Sequence, residues 1–149
     1  MTATGGLQIR SFTIQDQAAV IDLWSACGLL RPWNDPELDI LRKQSVGAEL
    51  FLVGELDGRI VAAVMGGYDG HRGWMNYLAV CPDLQRQRLG EQLVQSLEKR
   101  LIAVGCPKIN LQVRNENSQV VQFYARMGYS DDNVLSMGKR LITDRDTGR

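Results

Sequence analysis

The chain of 149 residues suits one domain with a sizeable core, and its 17 basic and 17 acidic residues cancel. That balance argues against a general nucleic-acid binder and makes any anion site a local feature. Cys27, Cys81 and Cys106 are odd in number and lack CxxC spacing, which predicts free thiols in a reducing cytoplasm and no metal centre.

The opening MTATGGLQIR has no apolar core of signal-peptide length, and no later run is long enough to span a bilayer. Residues 7–12, LQIRSF, alternate apolar and polar as a half-buried strand does. Thr13 opens a helix, spaced from Asp16 as in a capping box, although that motif prefers Glu or Gln. Ile14, Ala18, Ile21 and Trp24 fall on one predicted face, and Gly28 ends the helix. RPWNDPE (31–37) carries two prolines and should be irregular; a short helix follows over about 36–45, with Pro36 in its first turn.

Two apolar runs then flank Asp57-Gly58, a strong hairpin signal. GGYDGHRG makes a further turn and WMNYLAV a third antiparallel strand. In the next helix Leu89, Leu93, Leu97 and Leu101 form the apolar stripe, with Val94 and Val104 beside it and Gly105 as its stop. KINLQVR (108–114) reads as a strand, 117–127 as a helix stopped by Gly128, and NVLSMGKRL (133–141) as a last strand. The tail ITDRDTGR is polar and expected to be mobile. No repeat or linker appears, so residues 1–149 form a single domain with its core over about 7–142. The strand–helix–strand passage from WMNYLAV to KINLQVR implies a parallel, right-handed crossover. The expected fold is therefore α/β, a mixed sheet with helices on both faces.

The most informative stretch is VCPDLQRQRLGE (80–91), where an apolar strand end meets a basic turn and a helix N-terminus. Unpaired amides at a helix start favour an anion, and Arg86 and Arg88 add charge. The bland alternative is a pair of solvated turn residues. Neither a GxxxxGK[ST] nor a GxGxxG loop is present. Gln85-Arg86-Gln87-Arg88-Leu89-Gly90 does resemble the Q/R-x-x-G-x-G/A motif of the GNAT (GCN5-related) N-acetyltransferases, with Arg88 in place of the middle glycine. NSQVVQFYARMGY is similar to that family's N-x-x-A-x-x-x-Y-x-x-x-G-F/Y signature through Asn117, Tyr124, Gly128 and Tyr129, with Val120 standing for the alanine. LLRPWNDPE, GGYDGHR and GCPKI look further like the small bacterial YpeA-type subgroup.

This resemblance implies a mostly antiparallel sheet of six to seven strands and acetyl-CoA as cosubstrate. It assigns the phosphates to backbone amides over Gln85, Arg86, Gln87, Arg88, Leu89, Gly90 and Glu91. The pantetheine arm falls to the backbone of Leu78, Ala79 and Val80 and to Asn117, and the role of acid toward the departing thiolate to Tyr124. A phenol can donate that proton; the alternative is that Tyr124 only packs. The implied acceptor is a small amine or a peptide N-terminus, with no nucleic acid or membrane partner, and a homodimer is compatible with the family.

The base is open. The strand WMNYLAV has no carboxylate. Asp69 and His71 are the nearest titratable residues, Asp35 and Glu37 the second option, and water held by Asn76 or Tyr77 the third. Trp33, Asn34 and Asp35 either wall the acceptor pocket or anchor a loop. A non-catalytic acyl-CoA sensor on the same fold is the rival function, fed by the missing carboxylate and by Arg88.

Overall fold

The computed structural model describes residues 6–144; the first and last five residues, including most of the polar tail, lie outside the described residues. Strand β1 (Gln8–Ser11) leads through a short 3-10 turn (Ile14–Asp16) into helix α1 (Gln17–Ala26) and helix α2 (Pro36–Val46). Strands β2 (Phe51–Leu56), β3 (Arg59–Tyr68) and β4 (Gly73–Val80) follow, then α3 (Leu89–Ala103), β5 (Ile109–Asn110) and α4 (Ser118–Arg126).

Strands β1 to β4 are antiparallel neighbours in chain order, and β5 joins β4 in parallel. The β2–β3 turn has Asp57 at φ 52° and Gly58 at φ 81°, the two positive angles that a tight two-residue hairpin requires. Helices cover both faces. On one, Val20, Leu23 and Trp24 of α1 and Ile40 of α2 pack on Phe51, Val53 and Ala63. On the other, Leu93, Val94, Leu97 and Leu101 of α3 and Tyr124 of α4 pack on Leu52, Val64 and Met75.

Several expectations are corrected. The sheet has five strands rather than six to seven. Only Ile109–Asn110 of KINLQVR pairs with β4, because β5 leaves its neighbour after Trp74. Residues 133–141 form no strand; side-chain bonds tie their approach to β5, Lys108 and Asn110 to Asp132 and Gln112 to Ser136. Thr13 and Asp16 form the expected capping box, on the 3-10 turn that runs straight into α1, but the helix buries Val20, Leu23 and Trp24, while Ile14 and Ala18 face water. Val104 lies past the end of α3 and is exposed. The described part of the tail is anchored, since the Asp144 side chain is wholly buried against Arg42.

Candidate active site

Strand β4 is broken in its middle. Ala63 pairs with Ala79 and Met65 with Asn76, so two steps along β3 match three along β4. The extra residue is a bulge, and Tyr77 takes φ 54° within it. In an unbroken strand Met75, Tyr77 and Ala79 would share a face. Here Met75 packs beside Tyr124, whereas Tyr77 and Ala79 turn to the opposite face with Trp24. Pairing with β5 stops at Trp74–Asn110, which leaves the β4 edge beyond Trp74 without a strand neighbour among the described residues. Backbone groups of Leu78, Ala79 and Val80 border that open edge.

The strand runs directly into the basic turn. Gln85 Nε2 donates to the Val80 carbonyl at 3.1 Å and ties the turn to the strand end. Arg86 at φ 70° and Arg88 at φ 63° are both left-handed, and Arg88 serves as the N-cap of α3. Alternating left-handed residues turn successive amides toward one concavity, an anion-binding arrangement continued by the free amides of the first helical turn. Arg88 therefore adopts the conformation that a motif glycine would supply. Both guanidinium groups are exposed and make no ion pair among the described residues. At Gly90 an added Cβ would lie 3.5 Å from Phe123 and from Val80, so α4 closes over the junction of strand and helix.

Asn117 caps α4, accepting from the Val120 amide at 3.4 Å. Phe123 covers Gly90, and its neighbour Tyr124 is buried at 8% exposure under β4. The Tyr124 hydroxyl has one weak contact, with the Met75 sulfur at 4.0 Å. Burial pushes its pKa up to about 12.

On the other face Tyr77 stacks on Trp24 with ring centroids 4.1 Å apart. Its hydroxyl donates to Asp39 Oδ2 on α2 at 2.8 Å, and burial together with that carboxylate raises the phenol pKa. Asp39 was missed by sequence reasoning, which found no carboxylate on β4 and weighed Asp69 and His71, Asp35 and Glu37, and water held by Asn76 or Tyr77. The spacing of Asp39 from Asp35, one helical turn earlier on α2, was the only available signal.

Asp35 caps α2 through the Glu37 amide at 3.0 Å and the Leu38 amide at 3.3 Å. Its own N–H donates to Asp144 at 2.9 Å, and Arg42 binds Asp144 at 2.7 Å. Arg140 donates to Asn34 at 3.0 Å. Residues 140–144 thus clasp the loop that carries Trp33, which stays about half exposed at 49%.

His71 and Asp69 lie apart from this assembly. The Asp69 carboxylate builds the β3–β4 turn, accepting from the His71 amide at 2.8 Å, the Arg72 amide at 2.7 Å and Trp74 Nε1 at 3.3 Å. The two turn amides hold its pKa below the usual range. That turn precedes Gly73, four residues and roughly 13 Å of strand from the bulge. Asn76 stands exposed just before the bulge. The three thiols are free, and no group of residues suited to a metal ion occurs among the described residues. No helix there is long and apolar enough to cross a membrane.

Solved structures share this shape. The PaiA N-acetyltransferase of Thermoplasma acidophilum, in complex with coenzyme A, superposes with a TM-score of 0.73 at 21% identity over 87% of this chain and 93% of that one. The ribosomal-protein-S18-alanine N-acetyltransferase of Escherichia coli gives 0.70 at 22% identity over 83% and 77%. At such identities the likeness is one of fold. The sequence profile of the acetyltransferase (GNAT) family matches residues 17–129. "Acetyltransferase ECA0875" of Pectobacterium atrosepticum is 51% identical over 140 residues, 94% of this chain and 99% of that protein. The chain belongs to the GNAT family: it is an acyltransferase, and acetyl-CoA is its cosubstrate.

Proposed function

We propose that this chain moves the acetyl group of acetyl-CoA onto a primary amine by direct attack, with Tyr124 as the acid that protonates the leaving thiolate. The observation that carries this reading is the break in β4. It frees a strand edge between the anion-binding turn and a buried tyrosine whose hydroxyl has no strong partner. When bound, acetyl-CoA supplies an acetyl group activated as a thioester.

The chain's own residues divide the remaining work. Amides from Gln85 to Glu91, with Arg86 and Arg88, hold the phosphates, and the backbone of Leu78, Ala79 and Val80, with Asn117, orients the pantetheine arm. A backbone N–H at the bulge polarises the carbonyl, where a donor fixed in advance is most effective. Tyr124, with its pKa pushed up to about 12, stays protonated at neutral pH and is therefore in the donor form when the thiolate departs. Trp33, Asn34 and Asp35 wall the acceptor, a peptide N-terminus or a small amine.

The test is thiol release from acetyl-CoA with two probe amines, a peptide beginning with alanine and putrescine. Turnover of either supports transfer. Coenzyme A binding without turnover of any amine would favour the acyl-CoA sensor instead.

A further inference from the structure

We propose that Asp39 on α2 is the group that takes the proton from the acceptor amine; the inference rests on the transfer reading above and adds to it the missing base. The β4 bulge turns Tyr77 toward α2, where its hydroxyl donates to Asp39 Oδ2 at 2.8 Å. This fixes the carboxylate beside the one place where β4 is distorted and unpaired. The other oxygen, Oδ1, has only a long contact with Arg42 at 3.4 Å, whose shorter bond of 2.7 Å goes to Asp144. The Asp39 side chain keeps 23% of its surface open to solvent.

Competing carboxylates of this region are committed. Asp144 is wholly buried and bound by Arg42 and the Asp35 amide, Asp35 caps α2, and Asp69 is bonded into a distant turn. Tyr124 occupies the opposite face of β4 from Tyr77. Asp39, through Tyr77, and Tyr124 therefore approach β4 from its two faces, so that the proton lost by the amine and the proton given to the sulfur pass through separate groups. The neutral amine nitrogen forms a bond to the carbonyl carbon, and its excess proton passes to Asp39 Oδ1. The carbon–sulfur bond breaks, and the sulfur takes the Tyr124 proton. Solvent then carries the proton from Asp39 back to the Tyr124 phenolate, leaving an amide and a free thiol.

The experiment compares Asp39→Asn, Asp39→Glu and Asp39→Ala in the full chain with the alanine peptide and putrescine. Asparagine still accepts from Tyr77, so folding and coenzyme A affinity should hold within twofold while kcat falls by about 10²–10⁴, the range for a lost base. Asp39→Glu should recover at least a tenth of the lost rate, and added formate should raise kcat of Asp39→Ala without changing coenzyme A affinity. The assignment is overturned if Asp39→Asn turns over within threefold of the natural chain, or if formate leaves Asp39→Ala unchanged. A natural chain that binds coenzyme A but acetylates neither probe overturns the transfer reading itself, and the role of Asp39 with it.

Discussion

Three non-glycine residues at positive φ, Tyr77, Arg86 and Arg88, fall within twelve residues around the open end of β4. A left-handed L-residue costs on the order of 1–2 kcal/mol, so the neighbouring structure must hold each in place. For Arg88 the compensation proposed is charge at the phosphate site. Arg88→Gly keeps the angle and removes the cation. Its melting temperature should equal or exceed that of the natural chain while coenzyme A binds several-fold more weakly, most visibly at low ionic strength. Calorimetric titration at two salt concentrations checks this. Tyr124→Phe should leave coenzyme A affinity within a few-fold and lower kcat by about 10²–10⁴. With the phenol pKa raised to about 12, the natural enzyme should lose no activity through ionisation of this group up to pH 10. A basic limb near pH 8 that vanishes in Tyr124→Phe would contradict the assigned environment.

Between elements, the tightest fit joins β3 to α3. A Cβ on Gly66 would sit 2.4 Å from Leu97 Cδ1 and 2.8 Å from the Leu50 carbonyl oxygen. Gly66→Ala should destabilise by about 1–3 kcal/mol, read from the denaturant midpoint at unchanged slope. Helices α2, α3 and α4 were legible in the sequence because caps and apolar stripes are local. Pro36 and Asn117 announced two starts, and the leucine stripe of α3 is buried as its period implies. The strands were less so. WMNYLAV reads as one apolar run broken only by Asn76, and nothing in a tyrosine signals a positive φ, so the bulge that splits its faces was invisible. NVLSMGKRL has strand-like apolar content, yet Val134, Leu135 and Met137 are each more than three-quarters exposed. Periodicity reports what a segment could bury, not whether a partner edge lies within reach. Asp39 escaped for a related reason: its link to Tyr77 spans 38 residues and depends on the bulge.

At the scale of the molecule, cations hold carboxylates below their usual range among the described residues: Arg10 holds Asp16, Arg42 holds Asp144 and Lys108 holds Asp132. A carboxylate with a depressed folded pKa stabilises fully above its unfolded value of about 3.9, and that support is lost as pH falls below it. Melting temperature should therefore fall as the pH drops below about 3.9. Asp144→Asn should melt lower than the natural chain at pH 7, and the gap should narrow as the pH falls below that value. A constant gap across that range would detach the clasp from acid stability. The same clasp joins Asp35 to Asp144 across 109 residues, whereas the basic turn, α3 and α4 are all complete by Gly128. Chains are made from the N-terminus onward. The parts assigned to the acyl donor thus exist some sixteen residues before the acceptor loop can be fastened, so a nascent chain could hold coenzyme A before it could grip an amine.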